Sequence, residues 1–510
     1  MARTFSSQIG SVGDWDRRNT YYHEASGRWY RLFRKEGGYY VRRWQQGFRG
    51  AETNVFEARI EYAVGSGSHA RSFLYKAPDG RLFELPVSWY AGDGGHWAMS
   101  PGFDHAAHSD FRREVSAACL FCHAAYDRRA AIDCERCHGP GAGHIAEPSA
   151  ARIVNPARLS PVRRDEVCLQ CHLQTTSRAL PDAIRLKDRY QPGEPLSSQR
   201  LFFDHPAGAG MDDKFEVNSA AYRLRQSACR GLTCTTCHDA HHLRKVDVTQ
   251  ACRGCHAGEH ARRELDCAGC HMPRHAADDA PHVTLTDHRI QRRPLPRRPA
   301  PEVYRGPVAP YLPAAPDPVW LAIAQVRDGT NLVGGISRLE PLARAGDERA
   351  SKELADAYRK AGRYREAADW SLRTGDPGRA GQMLLRLNQL DAAWQALNAG
   401  IAANPRDVDT LLALGVASGQ LGRLADSIRW FRQATVIRPE LPLGWLNLAV
   451  SLEQSGDSKA AESAYREAIR WQPDFAAAHD RLANLLAAGG DAEQSRYERS
   501  LARSGHSPKQ

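Results

Sequence analysis

The residues of this chain best able to do chemistry are its cysteines and histidines, and their spacing repeats. Six times the sequence reads Cys-x-x-Cys-His: Cys119, Cys122, His123; Cys134, Cys137, His138; Cys168, Cys171, His172; Cys234, Cys237, His238; Cys252, Cys255, His256; and Cys267, Cys270, His271. Twelve of the thirteen cysteines are used in this way. At this chain's Cys and His frequencies about 0.01 such motifs would arise by chance. Close cysteine pairs also serve zinc sites, dithiol exchange and disulfides. None of these needs a His after every second Cys. Covalent haem attachment does, because the two thiols add to the vinyl groups while the adjacent imidazole binds the iron. The expected cofactor is therefore haem c, about six per chain, covalently attached.

Each motif supplies one axial imidazole, so the sixth position on the iron separates electron transfer from catalysis. Thirteen further histidines precede residue 290, enough to close every iron as a bis-His site. The candidate distal ligands are His69, His105, His108, His144, His205, His241, His282 and His288, with His242, His260 and His275 ranked below them. No catalytic residue is assigned. Cys229 stands outside the motifs; an inert buried thiol is the expectation, with an axial ligand or a reactive thiol as the alternatives.

The elements that must position these residues divide the chain. All thirteen cysteines and nineteen of the twenty-one histidines lie before residue 290. Residues 1–100 read as a β-rich module: residues 55–64 alternate, placing Phe56, Ala58, Ile60, Tyr62 and Val64 on one face. Hairpins are expected through Gly37-Gly38 and through Asp79-Gly80. Residues 101–290 hold the motifs on short, mainly helical or irregular pieces and contain little periodic apolar sequence. Such a segment buries too little of itself to fold well alone, and covalent macrocycles would supply the missing core. Residues 291–318 contain nine prolines and read as a connector. From 319 to 503 the period becomes 34 residues, with Pro405, Pro439, Pro473 and Gly422, Gly456, Gly490 so spaced. Leu411, Leu414, Gly415, Ser427, Phe431 and Ala434 recur as Trp445, Leu448, Ala449, Ala461, Tyr465 and Ala468. That pattern resembles the tetratricopeptide repeat, an all-α solenoid of four or five units here, whose concave face docks protein partners. The fold class expected is thus multidomain α+β.

The formal charge of +10 carries no nucleic-acid recognition motif with it. Six haems would bring about twelve propionate charges, and Arg suits bidentate pairing with carboxylates. No apolar run is long enough to span a membrane. The opening MARTFSSQIGSVGDWDRRN lacks the apolar stretch of an export signal, although such haems are attached outside the cytoplasm. The expectation is an N-terminally truncated start and a periplasmic or cell-surface location.

Taken together, VGSGSHARSF (64–73), ELPVSWY (84–90), CERCHGPGAGH (134–144), CLQCHLQTTS (168–177), CTTCHDAHH (234–242) and TDHRI (286–290) resemble the multihaem cytochrome c proteins that carry a C-terminal tetratricopeptide array. The haem part is similar to the tetrahaem cytochromes of ammonia oxidisers and, more distantly, to multihaem nitrite and hydroxylamine enzymes. The resemblance implies covalent haem c, redox work and an extracytoplasmic location. Relatives carry a signal sequence and a further haem motif ahead of the point where this chain begins. Three functions fit. The first is electron transfer through the haems with the repeats docking a redox protein partner. The second is reduction of a nitrogen or sulfur oxyanion at one open haem; the Cys-x-x-Cys-Lys variant used by one nitrite reductase class is absent. The third is a repeat scaffold with a redox-sensing haem domain.

Overall fold

The computed structural model describes residues 5–6, 9–11, 13–124, 132–149, 153–177, 190–241, 247–256, 266–280, 282–294, 296–297 and 306–504. The N-terminal module is an antiparallel sheet of β1 (Phe5–Ser6), β2 (Thr20–His23), β3 (Arg28–Lys35), β4 (Gly38–Gln46), β5 (Glu52–Val64), β6 (Ala70–Lys76), β7 (Leu82–Glu84), β8 (Val87–Tyr90) and β9 (His96–Met99). The order is β2-β3-β4-β5-β6-β8-β9, with β1 on β5 and β7 on β6. β2 and β9 approach each other, so the sheet curls toward a barrel. At the β3–β4 hairpin Lys35 opposes Gly38 across Glu36 and Gly37, both at positive φ. Such a turn matches the right-handed twist of the strands.

Phe56 and Ile60 of β5 are buried among Leu32, Val41, Phe73 and Trp97, as alternation requires. Beyond Ile60 the pattern departs from the sequence expectation, because the β5–β6 register shifts between Ile60 and Tyr62. A bulge of this kind re-aims the side chains that follow it. Ala63 turns inward, while Tyr62 and Val64 pack on the other side against Leu120 and Ala124 at the first motif.

The motif segment carries α1 (Ala117–His123), α2 (Glu135–His138), α3 (Ala142–Ala146), α4 (Pro161–His172), α5 (Ala220–Arg225), α6 (Val248–Arg253) and α7 (Cys267–His271). Its strands are β10 (Phe202–Asp204), β11 (Arg274–Ala276) and β12 (Thr284–Thr286). Its own apolar cluster is small: Leu169, Leu173, Tyr190, Leu196, Phe202 and Tyr222. The end of the proline-rich connector is not a free spacer. β13 (Ala309–Leu312) pairs antiparallel with β10, and Val308 shares a core with Leu201 and Phe203.

Twelve helices follow in six hairpins: α8 (Pro318–Asp328) and α9 (Leu332–Arg344), α10 (Glu348–Lys360) and α11 (Tyr364–Arg373), α12 (Pro377–Arg386) and α13 (Leu390–Ala403), α14 (Val408–Gln420) and α15 (Leu424–Ile437), α16 (Pro442–Gln454) and α17 (Ser458–Trp471), and α18 (Ala476–Ala488) and α19 (Ala492–Ser504). This is one hairpin more than the largest number expected. The additional pair, α8–α9, buries its apolar face against Leu201 and Phe203 of the motif segment, so the 34-residue consensus does not describe it. Terminal units of repeat arrays are commonly atypical in this way. Gly422, Gly456 and Gly490 all take positive φ just past the first helix of a pair, a conformation that costs glycine little.

α12 and α13 meet backbone to backbone, where a Cβ on Gly400 would lie 2.6 Å from the Gly378 Cα. Backbone cannot rotate away as a side chain can. Gly400→Ala is expected to destabilise the array by about 1–3 kcal/mol, read as a lowered midpoint in thermal or urea unfolding followed by helical circular dichroism. An unchanged midpoint would show that the two helices are not held at this distance.

Candidate functional site

One helical turn arranges each motif. His138 N donates to Cys134 O at 2.9 Å, His238 N to Cys234 O at 3.0 Å and His256 N to Cys252 O at 3.0 Å. This bond between residues i+4 and i brings both thiols and the imidazole to one side of the turn. α1, α2, α4 and α7 each end on their motif His. Behind α2, Gly139 takes positive φ and the Gly141 amide donates to Glu135 Oε1 at 2.9 Å. The Gly-Pro-Gly run therefore leaves the helix as a tight turn. All thirteen cysteines lie among the described residues, and none is in a disulfide.

Several imidazoles are oriented by backbone carbonyls. His138 Nδ1 donates to Val154 O at 2.8 Å, His271 Nδ1 to Gln291 O at 2.8 Å, His288 Nδ1 to Thr286 O at 3.1 Å and His144 Nδ1 to Ser149 O at 3.0 Å. A carbonyl only accepts, so Nδ1 carries the proton and Nε2 holds the lone pair of the neutral ring. Metal-ligating histidines are set in this manner.

Among the described residues, His138 and His238 of the motifs each meet a second histidine ring. His138 and His241 have ring centroids 5.8 Å apart and planes 22° from parallel. His238 and His288 stand 6.1 Å apart at 26°. Two imidazoles bound to opposite sides of one metal through bonds of about 2 Å have centroids about 6 Å apart. Plain ring packing also falls in this range; the carbonyl-fixed tautomer of His138 and His288 is the additional feature. Burial lowers the pKa of His123, His172 and His288, favouring their neutral form.

The motifs also touch one another. Cys122 is hydrogen-bonded to Cys171, which pulls its thiol down to about 6 against the opposing effect of burial, with Arg200 and Arg136 adding to the fall. Cys168 and Cys234 share a second thiol contact, and Cys252 and Cys267 a third. The first, third and fourth motifs thus touch in series and the fifth touches the sixth, while Cys137 lies near Cys168 and Cys252 near Cys237.

Sequence spacing carried no sign of the groups that position these residues. Arg223 pairs with Asp287 through Nε at 3.0 Å and Nη2 at 2.5 Å, both side chains buried, and so anchors the residue beside His288. Arg136 and Arg200 both lie over the Phe121 ring, at 4.7 Å and 5.0 Å, next to Cys122.

Of the other candidate ligands, His105 and His108 have ring centroids 6.3 Å apart, and His108 stands 5.5 Å from His23. His69 and His105 are exposed. His282 Nε2 faces Asp104 at 3.3 Å, which also meets His23 Nε2 at 3.2 Å. His144 lines a cavity of 320 Å³ with Pro148, Ser149, Ile153, Asn155 and Arg158. His108 is buried inside the β module, where Nε2 meets Arg28 at 3.0 Å and Nδ1 accepts from Asp110 N at 3.1 Å. His205 is engaged at Nδ1 by Thr176 Oγ1 at 2.9 Å and at Nε2 by Asp328 of α8 at 3.3 Å. His275 packs beside Phe215. His242 and His260 lie outside the described residues. Cys229 is half-buried, its amide bonded to Ser227 Oγ at 3.1 Å. Among the described residues no helix is long and apolar enough to cross a membrane.

Comparison with known proteins bears on the helical part. The tetratricopeptide repeat matches residues 379–442 and again residues 444–475. A TPR repeat-containing thioredoxin, TTL4, of Arabidopsis thaliana is 34% identical over 109 residues, 21% of this chain and 16% of that protein. Cellulose synthase 1 operon protein C of Komagataeibacter xylinus is 31% identical over 138 residues, 24% of this chain and 10% of that protein. The chain therefore spans less than a fifth of the length of either relative. Among solved structures, MamA is 16% identical over 30% of this chain and 94% of its own, with a TM-score of 0.28. The APC/C hetero-tetramer Cut9-Hcn1 is 13% identical over 36% of this chain and 39% of its own, with a TM-score of 0.32. Sequence match and helix succession agree: residues 379–475 carry tetratricopeptide repeats, a fold used for contacts between proteins, within a helical array running from Pro318 to Ser504.

Proposed function

We propose that the chain is an extracytoplasmic electron-transfer cytochrome, with about six c-type haems on its Cys-x-x-Cys-His motifs and a repeat array that docks a redox protein partner. The observation that carries this reading is the pairing of motif histidines with second histidines at the spacing of two ligands across one metal. His138 and His241 would together hold one iron, and His238 and His288 another. The cysteines of each motif would hold the haem covalently, and the haem would supply a one-electron iron couple. The backbone carbonyls at Val154 and Thr286 hold the protons of His138 and His288 on Nδ1. The proximity of neighbouring motifs favours a relay over isolated redox sites. Since both nitrogens of His108 and of His205 are engaged by protein groups, we assign those two residues to packing. His69, His105, His144 and His282 are left as ligands for the remaining irons.

The test uses the protein exported and matured with haem. His241→Ala and His288→Ala should each convert one low-spin iron to high-spin in electron paramagnetic resonance, leaving covalent haem at about six per chain. Maturation without covalent haem would overturn the reading. A high-spin iron in the fully loaded, unaltered protein would favour reduction of a nitrogen or sulfur oxyanion instead. The matched repeats support a second reading, a protein scaffold with a redox-sensing segment. It is separated from the first by whether loss of the array slows electron delivery or only abolishes assembly.

A further inference from the structure

The repeat array touches the β module far away in sequence, and the two repeats compared below that do so differ from the copy that precedes them. Trp471, at the end of α17, is 8% exposed and belongs to the β module's own core, with its ring 5.3 Å from that of Phe56. One period earlier the same position is Ile437, half-buried, and two periods earlier it is Ala403, exposed. The turn after each second helix repeats the contrast. Asp474 accepts from Arg28 Nη2 at 3.0 Å, and Glu440 binds Arg81. The equivalent residue in the copy that faces solvent is Arg406. Arg43 Nη2 donates to Arg470 O at 2.7 Å, and Arg438 pairs with Glu114 at 3.2 Å. The opposite end of the array is fastened to the motif segment, where Asp328 accepts from Ser177 Oγ at 2.8 Å and meets His205.

We infer that the chain's own β module is the ligand of the turn edge formed by residues 438–440 and 470–474. The array is thereby an internal brace, which seats the module over the first Cys-x-x-Cys-His motif through Tyr62, Val64 and Leu120. Recognition is by an acidic residue at one repeat position facing a module arginine, together with one indole in place of a smaller side chain. A docking partner is confined to the rest of the array. The inference stands whether or not haem is attached, since it uses no motif cysteine or histidine.

The experiment follows amide hydrogen exchange in the full chain. Asp474→Arg, which installs the residue found in the solvent-facing copy, should speed exchange about tenfold in β3, β5, α17 and α1 while leaving α10–α13 unchanged. Exchange unaltered in β3 and β5 would overturn the inference. Because this variant introduces a charge beside a buried cluster, a double-mutant cycle of Arg81→Ala and Glu440→Ala, read from the same amides, supplies an independent measure. Non-additivity supports the contact, and strictly additive effects count against it.

Discussion

Protein matured without haem attachment, or with the motif cysteines replaced by alanine, should keep the helical signal of its array and lose the fold of residues 101–290. The reason lies in where apolar surface is buried. The array has continuous cores, such as Phe431, Leu448, Ala449, Tyr465, Ala468 and Leu482. The motif segment has the small cluster around Leu169 and Tyr222, and its helices α2 and α7 are 4 and 5 residues long. Helices that short do not hold themselves in water. Six macrocycles would replace the missing core, so their loss should raise exchange in α2, α4 and α7 by about a hundredfold or more while α12–α17 keep their protection. Native-like protection of the motif segment in haem-free protein would sink the idea that haem completes this core.

Asp110→Asn is the single substitution expected to cost the β module most. Asp110, Arg28 and Arg43 are each about 1% exposed. Asp110 Oδ2 lies 3.1 Å from Arg43 Nη1 and 3.6 Å from Arg28 Nη1, and Tyr30 donates to Oδ1 at 3.3 Å. Removing the carboxylate leaves two guanidiniums out of water with Asp474 as the remaining counter-charge beside Arg28. Breaking a buried pair in this way costs about 3–5 kcal/mol, measurable as a fall in the urea midpoint. Burial pushes the Asp110 carboxyl up, but Arg43 and Arg28 more than offset it, so its pKa lies below the usual carboxylate range. A depressed folded value means that this stabilisation is complete above the unfolded value of about 4 and fades as pH falls through the folded one. The gap between parent and variant should accordingly be widest near neutrality and narrow in acid. A gap independent of pH down to about 2 would show that the ionised form is not what stabilises the module.

The sequence by itself determined whatever depends on short-range order. A Cys-x-x-Cys-His motif is complete within one helical turn, so its geometry needs nothing from the rest of the fold. A 34-residue period repeats one local solution, which makes α10 to α19 legible; α8–α9 escaped because its apolar face is satisfied by Leu201 and Phe203 rather than by a repeat neighbour. The alternation in β5 was legible as far as Ile60 and misleading beyond it, since a bulge is decided by the partner strand. Tertiary structure alone decided which imidazoles meet. His241 reaches His138, and His288 reaches His238, through chain paths that no periodicity encodes. His108 and His205 lie in the same compositional background yet have both nitrogens tied to Arg28, Asp110, Thr176 and Asp328. The same holds for Trp471 and Asp474, whose departure from the repeat pattern is visible in sequence but whose partner, the β module, becomes visible only once the array has curved back to the start of the chain. Long-range pairing of this kind follows from shape and burial summed over the whole molecule, and a local pattern carries neither.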